Sequence, residues 1–210
     1  MSLLKKLFPP RRGAAIVVVS GLPRSGTSML MKMLQAGGLA VFSDGIREAD
    51  IDNPNGYFEH ENIRKLAESS DRSWLGRARG QAIKVIAFLL DQLPPENNYD
   101  VIYVNRQIGE VVASQNKMLE RRGESVGEAS TRETAEMLSR HSTKVKGWLK
   151  RQKHFRVLEV DYAVVVQSPA EEARRVSDFL EGTLDCGKMA AVVDPSLYRN
   201  RSQNGASANS

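Results

Sequence analysis

The 210-residue sequence has a single cysteine and no long apolar stretch, and each of these features excludes a class of protein. Cys186 is the only cysteine, so an intrachain disulfide is excluded and a reducing compartment, by default the cytoplasm, is expected. A membrane-spanning helix needs about 18 consecutive apolar residues, and no such run occurs, so no integral membrane segment is expected. With 41% hydrophobic residues, the chain can bury the core of one ordinary domain.

Aromatic residues and metal-ligand patterns are also scarce. Aromatic residues make up 6% of the sequence and are scattered, whereas nucleic-acid-binding proteins usually interleave them with arginine and lysine. The formal charge of +5 therefore favours a phosphorylated small molecule over nucleic acid as the anionic partner. His60, His141 and His154 are far apart and no Cys-x-x-Cys spacing occurs, so no metal site is predicted.

The two ends of the sequence differ from its centre. Residues 1–13 combine several basic residues with few large apolar ones and predict a flexible basic arm, with a membrane-surface anchor as a weaker alternative. Residues 14–201 are predicted to form one domain. Residues 202–210 are polar and predict a disordered tail.

Strands alternate with helices along the central region. Continuous apolar runs, typical of parallel strands covered on both faces, predict strands over 14–20, 81–87, 101–105 and 155–160. Helical spacing of apolar residues and capping patterns predict helices over 27–36, 59–68 and 109–122, from Ser130, and from Ser168 to Gly182. The alternation predicts an α/β fold, a three-layer doubly wound sandwich around a mainly parallel sheet, as in P-loop NTPases.

A glycine-rich loop, Gly21-Leu-Pro-Arg-Ser-Gly-Thr-Ser28, connects the first predicted strand to the first helix. In this context two glycines five residues apart let backbone N–H groups and a helix N-terminus bind a phosphate. Thr27 stands where nucleoside-triphosphate loops have lysine, and the positive charge is at Arg24 instead. The strand over 101–105 ends in Asn105-Arg106, without the aspartate that would hold magnesium. These residues predict a nucleotide site that uses no metal.

The loop resembles the 5′-phosphosulfate loop of sulfotransferases that use 3′-phosphoadenosine 5′-phosphosulfate (PAPS). In that family an arginine ends a later strand, a serine follows eight residues on, and both bind the 3′-phosphate; Arg106 and Ser114 have this spacing. The resemblance implies a PAPS-dependent sulfotransferase that releases adenosine 3′,5′-bisphosphate (PAP), with a basic segment near Tyr198 covering the nucleotide. The cofactor-binding residues that it implies are Gly21, Pro23, Arg24, Ser25, Gly26, Thr27, Ser28, Arg106, Ser114 and Arg199.

The resemblance also implies three catalytic groups. Arg24 and Lys84 are expected to neutralise charge on the transferring sulfuryl group and on the leaving phosphate. Lys84 lies in an apolar run where an ammonium is costly unless it meets an anion. Cytosolic members have a catalytic histidine two residues after this lysine, but that position is Ile86 here. Other members use a carboxylate as the base, and Asp44 is its nearest match by position. Asp50, Asp52 and Glu59 stay as alternatives, although Glu59 is interpreted first as the start of a helix.

The acceptor and some alternative functions stay open. The polar segment 44–58 predicts a functional loop, and residues 44–80 are expected to contact a small-molecule, carbohydrate, lipid or peptide acceptor through its hydroxyl or amine. The oligomeric state is not determined. A P-loop kinase is a second reading, disfavoured by Thr27, and a non-catalytic nucleotide-binding module is a third, favoured by Ile86.

Overall fold

The computed structural model describes residues 13–46, 50, 53, 56–125 and 127–198. The arm predicted over 1–13 lies outside these ranges except for Gly13. The tail predicted over 202–210, the predicted ligand Arg199 and the alternative base Asp52 lie wholly outside them.

Four parallel strands form the central sheet in the order β2-β1-β3-β4. Their bounds are β1 Ile16–Gly21, β2 Ala82–Lys84, β3 Tyr99–Asn105 and β4 Phe155–Asp161. Strand β1 lies between β2 and β3, and Gly21 at its end is paired with Val104 of β3. The carboxyl ends of β1 and β3 therefore meet at one edge of the sheet.

Helices cover both faces of this sheet. Their bounds are α1 Thr27–Ala36, α2 Glu61–Arg64, α3 Ile108–Arg121, α4 Glu128–Leu149, α5 Tyr162–Gln167, α6 Pro169–Phe179 and α7 Cys186–Ala191. Short 3-10 helices occur at Ser73–Gly76, Ala87–Gln92 and Pro195–Leu197. None of the helices within the described ranges is long and apolar enough to cross a membrane.

Two hydrophobic cores lie on opposite faces because β1 alternates its side chains between them. Ile16 and Val18 pack in a core shared with α3 and α4, whereas Val17 and Val19 pack in a core shared with α1, α5, α6 and α7. The helix after β1 and the helices after β3 thus cover different faces, which makes the β1–β3 junction the switch point of the sheet. The predicted three-layer doubly wound α/β sandwich is confirmed.

Three predicted boundaries are wrong. The helix predicted over 59–68 extends only over Glu61–Arg64. The strand predicted over 81–87 ends at Lys84, and a 3-10 helix begins at Ala87, because β2 aligns with β1 over only three residue pairs. The capping box predicted at Ser130 does not begin a helix, since α4 begins at Glu128 after Gly127, and Ser130 lies inside its first turn. Ser168 does precede α6, which has Pro169 in its first turn as predicted, but the Ser168 side chain makes no capping hydrogen bond.

Candidate active site

The phosphate loop turns sharply between β1 and α1. Glycine is required at two of its positions because neighbouring atoms leave no room for a Cβ. A Cβ on Gly26, whose φ is 104°, would lie 2.3 Å from the Tyr162 ring. A Cβ on Gly21 would lie 2.5 Å from the Ser25 hydroxyl and 2.7 Å from the Val104 carbonyl. Any larger residue at either position would therefore push the loop away from the strand or helix it contacts.

Ser25, in the middle of this loop, has a buried hydroxyl. The residue is 1% exposed, and its Oγ has no hydrogen-bond partner among the residues that the structure describes. A buried hydroxyl without a partner costs about 1–3 kcal/mol. A phosphate or sulfate oxygen held by the loop would satisfy it, so the loop fits the phosphosulfate group that its sequence implies.

Three predicted ligands from separate parts of the chain meet beside the loop. The Arg24 Nε donates to the Ser114 Oγ over 3.1 Å, and the Arg106 guanidinium donates to the Arg24 carbonyl over 3.0 Å. Arg24 has a φ of 69°, a left-handed conformation that is uncommon for a residue with a side chain. Arg24 thus turns its carbonyl to Arg106 and its side chain to Ser114. The remaining predicted ligands of the loop are Pro23, which is half-buried, and Thr27 and Ser28, which begin α1.

Arg106 is held by groups that the sequence analysis missed. Its Nε donates to the buried Glu110 carboxylate over 3.0 Å, and its guanidinium lies 4.3 Å from the centre of the Tyr162 ring and 5.5 Å from that of Tyr198. Burial and the hydrogen bond to Glu110 raise the pKa of Tyr198 to about 12. The four-residue spacing between Arg106, which follows β3, and Glu110, in the first turn of α3, was a usable signal for Glu110. Tyr162 had no local signal.

Lys84, at the end of β2, contacts Tyr57 and Glu59. Its ammonium donates to the Tyr57 carbonyl, lies 3.6 Å from the Glu59 carboxylate and lies 5.7 Å from the centre of the Tyr57 ring. The Lys84 side chain is 8% exposed, whereas that of Glu59 is 23% exposed. Glu59 precedes α2 rather than beginning it, because His60 is the N-cap. The pair therefore joins a buried cation to a carboxylate that the solvent reaches.

Asp44 has a carboxylate that is engaged by its own neighbourhood. One oxygen accepts from the Ile46 N–H over 3.1 Å, and the other accepts from the Glu61 N–H over 2.7 Å and lies 3.4 Å from Arg64. Burial acts to raise the pKa of Asp44, but the two N–H groups and Arg64 outweigh it and hold that pKa below its ordinary value. These contacts fix the start of α2, and a carboxylate with a lowered pKa is a weak proton acceptor.

Three side chains, those of Asp50, Asn53 and Tyr57, connect the Lys84 region to the phosphate loop. The Asn53 side chain donates to the Ser28 Oγ over 2.9 Å. Asp50 accepts from the Asn53 N–H over 2.8 Å and from the Tyr57 hydroxyl over 2.6 Å. A connected set of hydrogen bonds thus runs from Ser28 through Asn53, Asp50 and Tyr57 to Lys84.

Within the described ranges, no group of three or more histidine, cysteine, aspartate or glutamate side chains is arranged to hold a metal ion. The positive charges beside the loop come instead from Arg24 and Arg106, with Lys84 at the end of the neighbouring strand β2. This arrangement can bind a nucleotide with several anionic groups and can offer a carboxylate to an acceptor.

Comparison with solved structures relates the fold to sulfotransferases. A sulfotransferase domain from the curacin biosynthetic pathway has a TM-score of 0.53 and 16% identity, over 91% of this chain and 88% of that chain. Mouse sulfotransferase SULT7A1 complexed with PAP has a TM-score of 0.55 and 18% identity, over 90% of this chain and 66% of that chain. A sulfotransferase from Alicyclobacillus acidocaldarius has a TM-score of 0.51 and 14% identity, over 89% and 99% of the two chains.

Sequence comparisons give a second, independent result. None of the curated proteins compared with the chain matches it. The family model of the sulfotransferase domain matches residues 15–210, which include the phosphate loop, Arg106 and Ser114. The chain therefore belongs to the sulfotransferase domain family.

Proposed function

We propose that the chain is an enzyme that transfers the sulfuryl group of PAPS to a hydroxyl or amine acceptor. The observation that carries the proposal is the meeting of Arg24, Arg106 and Ser114 at the switch point of the sheet. Open α/β sheets bind their ligands at this point. The phosphate loop is assigned to the 5′-phosphosulfate, and Arg106 and Ser114 to the 3′-phosphate. The PAP complex of the structurally similar mouse sulfotransferase supports this cofactor.

Basic side chains supply the positive charge at the proposed cofactor site. When bound, PAPS supplies the sulfuryl group and leaves as PAP. Arg24, in the loop, lies beside the 3′-phosphate residues and is assigned to the phosphates. Lys84 is assigned to the sulfuryl oxygens, because it is the buried cation on the strand next to β1. Preorganised charged donors of this kind contribute about 10²–10³-fold in rate.

We assign the acceptor-activating base to Glu59, with Asp44 as the alternative. Glu59 is paired with Lys84, whereas Asp44 accepts hydrogen bonds from the backbone of Ile46 and Glu61. A base beside Lys84 can take the proton of an acceptor hydroxyl close to the group that Lys84 holds. In this assignment Asp44 holds the start of α2, and Arg64 contacts both carboxylates and reduces their mutual repulsion.

The acceptor is proposed to meet the chain at residues 44–80. Two rings of this segment, Trp74 and Tyr57, are only 3% and 7% exposed, and Trp74 stacks with Phe42 and His60. These rings therefore anchor the segment to the core, and Phe58, half-buried beside Glu59, is the ring that an acceptor can reach. A small molecule, carbohydrate, lipid or peptide with a hydroxyl next to Glu59 fits this proposal.

Calorimetric titration tests the cofactor assignment. We expect micromolar binding of PAP without metal, weaker binding of adenosine 5′-monophosphate (AMP), and no preference for ATP with magnesium. Arg106→Gln keeps an amide donor for Glu110 but removes the charge, so PAP affinity should fall about 10²-fold while AMP affinity stays unchanged. Arg122→Ala, at an exposed arginine after α3, is the matched control. Preference for ATP with magnesium would instead support the kinase reading.

Turnover separates transfer from simple binding. Wild-type protein with PAPS is assayed for PAP release over a panel of phenols, sugars, sterols and tyrosine peptides. Release that depends on one of these acceptors is expected. Tight PAP binding with no turnover on any of them would support a non-catalytic nucleotide-binding module.

A further inference from the structure

We infer that Asn53 is a positioning residue of the cofactor site, which orients the Ser28 hydroxyl toward the 5′-phosphosulfate and ties the phosphate loop to the Lys84–Glu59 pair. The inference rests on the proposed function and deepens it, because the sequence predicts only a functional loop over 44–58 and assigns no role to Asn53. Asn53 acts through Ser28, so it is not itself a catalytic residue.

The first observation is the direction of the hydrogen bond between Asn53 and Ser28. The Asn53 Nδ2 lies 2.9 Å from the Ser28 Oγ and also contacts the Gly56 carbonyl oxygen. A carbonyl oxygen only accepts, so the side-chain atom that faces it is the amide nitrogen, and Asn53 donates to Ser28 as well. The Ser28 Oγ is therefore an acceptor in this contact.

The second observation is where this leaves the Ser28 hydroxyl hydrogen. A serine hydroxyl has one hydrogen to donate and two lone pairs, and one lone pair is used by Asn53. The hydrogen stays available for another acceptor. Ser28 is the second residue of α1, at the helix N-terminus that follows the phosphate loop, where an anion is the favoured acceptor.

The third observation is that Asn53 is itself held in place. The Asp50 carboxylate accepts from the Asn53 backbone N–H over 2.8 Å with one oxygen and from the Tyr57 hydroxyl over 2.6 Å with the other. The Tyr57 carbonyl accepts from Lys84. Asp50, an alternative base in the sequence analysis, thus has both oxygens engaged and links the position of Asn53 to that of Lys84.

These contacts connect the residues assigned to the sulfuryl donor with the residue assigned to the acceptor. Ser28 belongs to the element assigned to the phosphosulfate, whereas Lys84 is assigned to the sulfuryl oxygens and its partner Glu59 to the acceptor proton. Group transfer requires donor and acceptor groups to be held in a fixed relative geometry. The set formed by Asn53, Asp50 and Tyr57 supplies that geometry through side chains of one short segment.

Replacing Asn53 by aspartate gives the sharpest test, because the change is nearly isosteric. A carboxylate accepts the Ser28 hydrogen instead of donating to Ser28, and it places a negative charge beside the anion site. We expect Asn53→Asp to weaken PAP and AMP binding about 10²-fold alike, because both ligands carry the 5′-phosphate. Asn53→Ala, which removes the neutral amide that donates to Ser28 and to the Gly56 carbonyl, should weaken both about 5-fold.

A matched control tests whether the same substitution outside the site also lowers PAP affinity. Asn116 on α3 donates to the Thr131 hydroxyl over 3.0 Å, the same chemical contact outside the site, so Asn116→Asp should leave PAP affinity unchanged. A double-mutant cycle then isolates the contact: in a Ser28→Ala background, Asn53→Ala should have no further effect on PAP affinity.

The outcomes separate the inference from the function on which it rests. A wild-type chain that does not bind PAP would refute the proposed function itself. A wild-type chain that binds PAP, with Asn53→Asp binding it equally well, would refute the role of Asn53. Equal losses from Asn53→Ala with and without Ser28 would also refute it, because the effect would then not pass through Ser28.

Discussion

The Tyr198 hydroxyl donates to the Glu110 carboxylate over 2.8 Å, and the other oxygen of that carboxylate accepts from Arg106 over 3.0 Å. Glu110 is 3% exposed, so its buried carboxylate needs hydrogen-bond donors such as these. Residue 198 is 88 positions away from Glu110 along the chain. One buried carboxylate therefore connects a distant segment to the arginine proposed to bind the 3′-phosphate.

Tyr198→Phe should destabilise the chain while keeping the ring over Arg106. The variant removes a hydrogen bond to a buried charged group, and we expect the free energy of unfolding to fall by about 1.5–3 kcal/mol. Urea denaturation followed by circular dichroism measures the change.

Tyr103→Phe is the matched control for this prediction. The Tyr103 hydroxyl lies 3.3 Å from the Ser142 hydroxyl, so its partner is neutral, and a smaller loss of about 0.5–1.5 kcal/mol is expected. Equal losses in the two variants would show that the charge of Glu110 does not strengthen the Tyr198 contact.

The sequence was sufficient for the parts of the site that follow directly from a strand. The phosphate loop comes after β1, and Arg106 comes after β3, so the rule that parallel strands share a carboxyl edge was enough to place them together. Ser114 was implied by the resemblance to the sulfotransferase family, which has a serine eight residues after this arginine, and its contact with Arg24 joins the two motifs.

The parts that depend on tertiary contacts could not be predicted. Glu59 looked like the start of a helix, and only the fold reveals that it is paired with Lys84, 25 residues later in the sequence. Asn53 lay in a segment predicted only as a functional loop, and its contact with Ser28 joins residues 25 positions apart in the sequence. Neither periodicity nor spacing predicts such a contact, because the tertiary fold brings the two residues together.

Alanine substitutions at Gly26 and Gly38 distinguish the cost of backbone strain from the cost of a steric clash. Both have a positive φ, 104° and 99°, but a Cβ on Gly26 would meet the Tyr162 ring at 2.3 Å, whereas a Cβ on Gly38 would meet nothing within 4 Å. Gly38→Ala should cost about 1–3 kcal/mol of unfolding free energy from backbone strain alone. Gly26→Ala should cost about 1–3 kcal/mol more because the ring must move.

PAP binding gives a second readout for the same pair. Because Tyr162 also stacks on Arg106, a shift of its ring should disturb the 3′-phosphate residues, and Gly26→Ala should lose PAP affinity. Gly38→Ala should keep it. Similar stability and affinity in both variants would contradict the close packing of Gly26 on Tyr162.

Glu59→Gln and Asp44→Asn distinguish the two candidate bases. If Glu59 takes the acceptor proton, Glu59→Gln should lower kcat about 10²–10⁴-fold with the PAP affinity unchanged. Asp44→Asn should mainly destabilise the chain, by about 1–2 kcal/mol, because it weakens the hydrogen bonds from Ile46 and Glu61. Kinetics with the best acceptor of the panel and urea denaturation measure both effects. A loss of kcat in Asp44→Asn but not in Glu59→Gln would reverse the assignment.

His60 should make the stability of the chain depend on pH. Its Nδ1 accepts from the Asn62 N–H over 3.2 Å as the N-cap of α2, and its ring stacks on Phe42 at 4.3 Å. Burial, with smaller effects from the neighbouring arginines Arg77 and Arg64, lowers the pKa of His60 below 6.5, although Asp44 opposes the shift. The folded state therefore prefers the neutral ring, whose Nδ1 can accept the capping bond.

The sign of the dependence follows from that lowered pKa. Below pH 6.5 the unfolded chain binds the proton more readily than the folded chain, so the stability from neutral His60 is complete above that pH and is lost as the pH falls through the folded pKa. His60→Asn keeps a good N-cap but cannot titrate, so its unfolding free energy should fall less between pH 7 and pH 5 than that of the wild type. His154, whose pKa is also lowered by burial, should contribute equally in both proteins, so the difference reports His60 alone. An identical pH dependence in the variant and the wild type would exclude His60 as the titrating group.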